Sequence, residues 1–369
     1  MGKRIGILTG GGDCPGLNAV IRAAVKVGVE RHGFEVFGIE DAFSGLIDLD
    51  YRSPNGNRWL TPRDVRDVLG RGGTLLGTSN RNDPFHFVSK DAEGRPVERD
   101  VSDLVVEHAR AMRLDGVISI GGDGSMAIAQ RLLEKGLPIV GVPKTIDNDL
   151  GATDQTFGFD TAVGIATEAL DRLRDTAESH DRVMLLEVMG RDAGFIALHA
   201  GLAGGADAIL IPEIPYAVEP LVRMVQARAE AGQKYSLIVV SEGAKPLGGD
   251  VSALGRKPGE MVRLKGAAAR VEAALEGRLD AEVRVTVLGH LQRGGVPSSF
   301  DRILASRFGR AAAELCAQGA WGRMVALRDG AIVSIPIADA VARPRRVDPK
   351  GDLLEAARAL GTVFGDEPA

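Results

Sequence analysis

Gly116-Val117-Ile118-Ser119-Ile120-Gly121-Gly122-Asp123-Gly124-Ser125 decides the fold. A continuous apolar run ends in glycines around an aspartate, and a helical pattern over 125–134 follows. Such a run, bounded by glycine, reads as a strand buried on both faces, the kind found in parallel sheets. The same grammar repeats on either side. Residues 4–9 enter Gly10-Gly11-Gly12-Asp13-Cys14-Pro15-Gly16, after which Leu17, Val20, Ile21, Ala24 and Val27 keep a helical period that Gly33 closes. Residues 34–39, 137–142, 183–188, 208–211, 237–240 and 283–288 read as further strands, and Ala162, Ile165, Ala166, Ala169 and Leu173 make one helical stripe. Thr61-Pro62-Arg63-Asp64 reads as an N-cap with proline at the first helical position. The alternation predicts a parallel, doubly wound α/β architecture, with ligands outside the strand carboxyl ends. Residues 83–100, polar and without clear period, and 245–260, rich in Gly and Pro, read as surface insertions. The stretch from Ala340 is polar and basic, then acidic at Asp366-Glu367.

A chain of 369 residues is long enough for two domains. Net charge is −5, so no general basic field draws in nucleic acid or membrane, and anion binding must be local. Aromatics at 4% give few stacking platforms for single strands. Cys14 and Cys316 make neither a disulfide framework nor a metal-ligand spacing, as expected in a reducing cytoplasm. No signal peptide and no membrane span is read in the chain.

Each chemically loaded run follows an expected strand. Gly10–16 can face an anion with backbone N–H groups, or be a tight structural turn; Pro15 and the spacing break a dinucleotide fingerprint. Asp123 can hold Mg²⁺ while Gly121, Gly122, Gly124 and Ser125 admit a polyphosphate, or it can cap the helix. Pro143-Lys144-Thr145-Ile146-Asp147-Asn148-Asp149 crowds carboxylates and a hydroxyl into one turn. Asp147 could take a proton from an acceptor hydroxyl, Thr145 could bond the moving phosphoryl, Asp149 could serve the metal, and Asn148 could hold the turn. Asp- and Asn-rich turns use the same residue types for backbone bonding. Met189-Gly190-Arg191 offers a guanidinium that can offset charge on a transferring group, or a surface ion pair. Glu242, in Ser241-Glu242-Gly243, can accept from sugar hydroxyls or cap a helix. His290 and Arg293, in Gly289-His290-Leu291-Gln292-Arg293-Gly294-Gly295, with Arg284 upstream, can serve a second phosphate.

Taken together, GGGDCPGLN, GGDGS, PKTIDND, SHDRVMLLEVMGR, SEG and GHLQRGG resemble the 6-phosphofructokinase family, in family order over about residues 4–310. The resemblance implies two Rossmann-like domains with mainly parallel sheets and an active site in the cleft between them. It places the donor domain in 1–158 with about 292–342, and the sugar-phosphate domain in 159–291 with about 343–369. It implies transfer of the γ-phosphoryl of ATP to the 1-hydroxyl of fructose 6-phosphate in the cytoplasm, with Mg²⁺. Asp147 would be the base, with Thr145, Arg191 and Gly12 at the transferred group. Gly12, Asn80, Arg81, Gly121, Gly122, Asp123, Gly124 and Ser125 would hold the donor, with Asp123 on the metal. Thr145, Asp147, Met189, Gly190, Arg191, Glu242, His290 and Arg293 would bind the sugar phosphate. Arg182 and Arg284 would reach the neighbouring subunit's site, which makes the active unit a homo-oligomer, expected to be a tetramer.

Two positions set the donor and disagree. Gly124 is the ATP type, because aspartate there crowds and repels the α-phosphate; Lys144 is the pyrophosphate type. Gly124 is the physical arbiter, since a lysine can coexist with ATP, and the expectation is ATP. Asn80 stands where bacterial ATP enzymes usually carry an arginine, with Arg81 adjacent. Effector residues of the bacterial enzymes are partly matched, with Arg22, Lys26 and Asp207. The competing readings are a pyrophosphate-dependent enzyme on the same fold, another kinase bearing GGDG, and a non-catalytic binding module.

Overall fold

Strands and helices alternate along the computed structural model, which describes residues 2–51, 59–251 and 266–368. The strands among the described residues are β1 (Arg4–Thr9), β2 (Glu35–Gly38), β3 (Trp59–Leu60), β4 (Phe87–Lys90), β5 (Pro96–Arg99), β6 (Gly116–Gly121), β7 (Ile139–Pro143), β8 (Val183–Val188), β9 (Ala208–Leu210), β10 (Ser236–Ser241), β11 (Val283–Val287), β12 (Arg323–Arg328) and β13 (Ala331–Pro336). The helices are α1 (Leu17–His32), α2 (Ser44–Ile47), α3 (Ser102–Ala111), α4 (Asp123–Glu134), α5 (Phe159–His180), α6 (Phe195–Ala203), α7 (Val218–Glu230), α8 (Ala267–Leu275), α9 (Ser299–Gln318), α10 (Ile337–Ala342) and α11 (Asp352–Ala359).

The larger sheet runs β13-β12-β7-β6-β1-β2-β3. Its inner pairs are parallel, and β13 and β3 close the two edges antiparallel. The smaller sheet, β11-β8-β10-β9, is parallel throughout. β6, β7, β8 and β10 are buried along their whole lengths, which is why their sequences are continuous rather than alternating. One apolar cluster spans the two sheets, with Ile5 and Ile120 from the larger, Leu186 and Val188 from the smaller, and Phe157 and Phe308 between them. Each such side chain contributes about 1.5–3 kcal/mol on burial. In α1 the apolar stripe faces this core, and Gly33 at φ 67 ends it with its N–H on the Gly28 and Val29 carbonyls.

Register sets up the chemistry. Gly121 pairs with Pro143, and Thr9 with Ile120, so three turns leave adjacent strands side by side. Ser241 pairs with Val188, so Glu242 and Met189 emerge together from the smaller sheet.

Two readings are revised by the observed structure, and a third falls largely outside it. Thr61 begins no helix: Asp64 Oδ2 accepts from the Thr61 amide and hydroxyl, and the backbone bonds that follow close short turns only. The polar segment 83–100 contains the antiparallel hairpin β4–β5. Of the expected insertion at 245–260, residues 252–260 lie outside the described residues.

Candidate active site

A cleft of about 380 Å³ opens at the carboxyl ends of β1, β6 and β7. Gly12, Asn80, Gly122, Asp123, Gly124, Ser125, Lys144, Thr145, Asp147, Asp149, Arg191 and Arg293 line it. Gly121 stands directly behind, as the last residue of β6.

The glycine turns are where neighbouring side chains approach the backbone closely. A Cβ on Gly121 would collide with Ser125, and one on Gly12 with the Arg293 guanidinium. Gly124 is different, because no atom lies within 4 Å of where its Cβ would stand. Its absent side chain leaves open cleft rather than room for the protein. α4 starts at Asp123, earlier than expected, so Asp123 sits in the first turn where the helix dipole favours an anion.

The 144–149 turn is tightly bonded. Asn148 adopts φ 54, and its Oδ1 accepts from the Thr156 amide at 3.0 Å. The Thr156 hydroxyl donates to the Thr145 carbonyl at 2.7 Å, and the Asp147 amide donates to Thr145 Oγ1 at 3.1 Å. Asp147 Oδ1 is inaccessible to solvent and has no hydrogen-bond partner. Burial pushes the Asp147 carboxyl up to about 6, with nearby Glu242 and Asp123 adding to the rise and Arg293 and Lys144 opposing it. Asp149 rises to about 7, mainly through burial and then through the charges of Asp147 and Asp123. Lys144 is 4% exposed and its ammonium donates to the Gly12 carbonyl. That contact braces the glycine loop, and burial lowers the amine's pKa. Cys14, beside it, is buried and its thiol is pushed to about 12, so it is a small apolar residue here.

From the second sheet, Arg191 and Asp192 line the cleft, whereas the expected Met189, Gly190 and Glu242 are not among its lining residues. Gly190 at φ 135 leaves no room for a Cβ against Ser241 and the Ala193 carbonyl. Ser241 Oγ donates to the Gly190 carbonyl, and the Glu242 amide donates to the Val188 carbonyl at 2.9 Å. Glu242 is half-buried, and burial raises its pKa. Met189 receives a residue that sequence reasoning passed over: buried Gln292 accepts from its amide at 2.8 Å. Gln292 thereby ties the one-turn 3₁₀ segment Gly289–Arg293 to the Arg191 loop.

Other expected residues stand apart. His290 and Arg81 are exposed and do not line the cleft. Arg182 precedes β8 and Arg284 is the second residue of β11, at the end of the sheet opposite Met189 and Arg191. Both are paired with Glu282, Arg182 at 2.6 Å. Asp207 is paired with Arg228 at 2.8 Å within the chain.

Asp123, Asp147 and Asp149 all line the cleft, yet among the described residues no three His, Cys, Asp or Glu side chains are gathered closely enough to hold a metal ion. A cation there would take most of its shell from a ligand, as Mg²⁺ ordinarily does with one or two carboxylates plus substrate phosphates. Among the described residues, no helix is long and apolar enough to cross a membrane.

Comparison with known proteins converges on one family. The family model described as Phosphofructokinase matches residues 4–316. The chain is 51% identical over 365 residues to the ATP-dependent 6-phosphofructokinase of Chloroflexus aurantiacus, covering 99% of this chain and 98% of the relative. It is 47% identical over 367 residues to ATP-dependent 6-phosphofructokinase 2 of Clostridium perfringens, covering 99% of each. Among solved structures, phosphofructokinase from Saccharomyces cerevisiae aligns with TM-score 0.76 and 29% identity over 97% of this chain, which spans 46% of the yeast chain. A pyrophosphate-dependent phosphofructokinase from Marinobacter aquaeolei aligns with TM-score 0.75 at 23% identity, over 100% of this chain and 93% of that one, and shares the fold.

Proposed function

The chain belongs to the phosphofructokinase family, and on that premise we propose how its cleft works. The activity is transfer of the γ-phosphoryl of ATP to the 1-hydroxyl of fructose 6-phosphate, giving fructose 1,6-bisphosphate and ADP in glycolysis. The observation that carries the mechanism is Asp147 Oδ1, buried without a partner at the floor of a cleft with a glycine-rich wall and an arginine-bearing wall.

The sugar's 1-hydroxyl oxygen attacks the γ-phosphorus, its proton passes to the Asp147 carboxylate, and the bond from phosphorus to the bridging oxygen breaks to release ADP. A positioned base of this kind contributes about 10²–10⁴ in rate. Thr145 lies beside the moving phosphoryl, and Arg191 offsets its charge. Gly12 and residues 121–125 take the donor's phosphates on backbone amides at the start of α4. Met189, Gly190 and Glu242 face the sugar, and His290 and Arg293 its phosphate. Mg²⁺ bound at Asp123 would draw charge off the donor's phosphates.

Gly124 favours ATP over pyrophosphate. The open space at its Cβ accommodates an α-phosphate, while Lys144 is turned onto the Gly12 carbonyl. The relatives named ATP-dependent agree with that choice.

We further propose a homo-oligomer, a tetramer on the family resemblance, acting in the cytoplasm. Arg182 and Arg284, remote from the cleft of their own chain, would serve a neighbour's sugar-phosphate pocket. Support comes from their position opposite Arg191 and from exposed Val287, Leu291, Val296 and Ile303 close by in sequence. The donor domain would comprise 1–158 with about 292–342, and the sugar domain the remainder.

A coupled assay with fructose 6-phosphate and Mg²⁺, run in parallel with ATP and with pyrophosphate, tests the reading. Turnover with ATP is expected; turnover with pyrophosphate alone would reverse the donor assignment, and turnover with neither would overturn the function.

A further inference from the structure

Residues 343–348 follow α10, belong to neither sheet, and touch both loops that carry the chemistry. The Arg345 amide donates to the Asp149 carbonyl at 2.7 Å. Arg345 Nη1 donates to the Thr153 carbonyl at 3.0 Å and to the Asp154 carbonyl, and reaches Asn148 Oδ1 at 3.5 Å. Its guanidinium also lies over the Phe195 ring, 5.0 Å from the centroid. Phe195 opens α6, at the end of the loop that carries Arg191. Two residues on, the Val347 amide donates to Glu213 Oε1 at 2.8 Å, and both Glu213 oxygens accept from the Gly194 amide at 3.1 Å. The strap lies against bare backbone, since a Cβ on Gly151 would strike the Arg343 carbonyl.

We propose that Arg345 is a positioning residue for phosphoryl transfer, clamping the Asp147 turn and the Arg191 loop at a fixed separation. This rests on the reading of the cleft given above. Its single planar fork meets carbonyls of the first loop while its face covers an aromatic ring of the second, a combination a lysine cannot reproduce. Misplacement by about 1 Å can cost 10²-fold in rate without a change in binding groups.

Arg345→Ala and Arg345→Lys, purified as full chains, test the idea by steady-state kinetics and amide hydrogen exchange. Arg345→Ala is expected to lower kcat about 10–100-fold with KM for both substrates within about threefold. Guanidinium ion at millimolar concentration is expected to restore part of that kcat, and Arg345→Lys to retain an intermediate rate. Exchange at amides of 147–156 and of 189–195 should speed up together. A wild-type kcat in Arg345→Ala, or a loss fully explained by a smaller folded fraction without guanidinium rescue, would overturn the role. Coupled loosening of both segments in a protein that never phosphorylates fructose 6-phosphate would instead sustain the clamp and sink the reading of the cleft.

Discussion

The two turns that leave β6 and β7 side by side solve opposite problems. The 121–125 turn is built from absences: Asp123 and Gly124 are exposed, and the space beyond Gly124 is empty of protein. The 144–149 turn is built from bonds: Asn148 is locked by Thr156 and Arg345, and Asp147 is half-buried with its inaccessible Oδ1 unspent. The first wall must admit a bulky, highly charged donor, so it offers backbone amides and room. The second must hold one carboxylate still in a dry place, so it surrounds that group with structure. A residue can therefore be decisive at the first turn by what it lacks and at the second by what holds it.

The largest test of that contrast is at the bonded turn. Asp147→Asn keeps the volume and the backbone bonds and removes the proton acceptor. We expect kcat to fall by about 10²–10⁴ with sugar-phosphate binding, followed by thermal shift, retained. Turnover within tenfold of wild type would mean the buried oxygen is not the base. At the open turn, Gly124→Asp should fold with an unchanged melting temperature, because a Cβ there meets nothing within 4 Å and the carboxylate points on into the open cleft. It should nonetheless lose ATP turnover by about 10²-fold or more, through clash and like-charge repulsion at the α-phosphate. Retained ATP use would make Lys144, not Gly124, the determinant of donor.

The same contrast explains what the sequence made legible. β1 and β8 fall on the residues expected of them, 4–9 and 183–188, because a continuously buried strand writes an unbroken apolar run. The turns announce themselves through glycine and through clustered Asp and Asn. β13 was missed because it is an antiparallel edge strand with alternate exposure, a short and weak local pattern. The hairpin β4–β5 is likewise half exposed on alternate residues. Thr61-Pro62 carries the chemistry of a helix start, but Asp64 bonds back to Thr61 and the helix never propagates. Gln292 lies inside the quoted 289–295 run and Arg345 in the polar stretch after Ala340, but neither role is legible locally: they meet their partners across 103 and 197 residues, a separation no period or turn rule spans. The acidic pair Asp366-Glu367, read only as the acidic end of a polar stretch, is an ion-pair partner of Arg358.

A smaller effect separates backbone strain from hydrogen bonding within the 144–149 turn. Asn148 occupies the left-handed region at φ 54, which glycine tolerates and alanine resists. Asn148→Ala forfeits both the favourable conformation and the acceptor for the Thr156 amide, and should lower stability by about 1–3 kcal/mol and kcat about tenfold. Asn148→Gly restores the conformation only, and should recover roughly a third to a half of that stability. Equal losses in the two variants, measured by denaturant unfolding, would assign the whole effect to the hydrogen bond.

The smallest expected effect is a shift of stability with pH that runs against activity. Burial raises Asp147 to about 6 and Asp149 to about 7 from an ordinary 3.8. A carboxyl whose folded pKa lies above its unfolded value stabilises the fold while protonated. That contribution is complete below about 3.8 and is lost as pH rises through about 6 to 7. Ionised Asp147 is what accepts the proton, so kcat should climb over the same interval in which this part of the stability disappears. Asp147→Asn removes the cost of ionisation, and at pH 8 the variant should melt about 2–6 °C above wild type without ligands. Near pH 4 the two should melt together. A difference in melting temperature that stays constant from pH 4 to pH 8 would show that the carboxylate is ionised at no cost to the fold, and the open and bonded turns would then be alike in the one property held here to separate them.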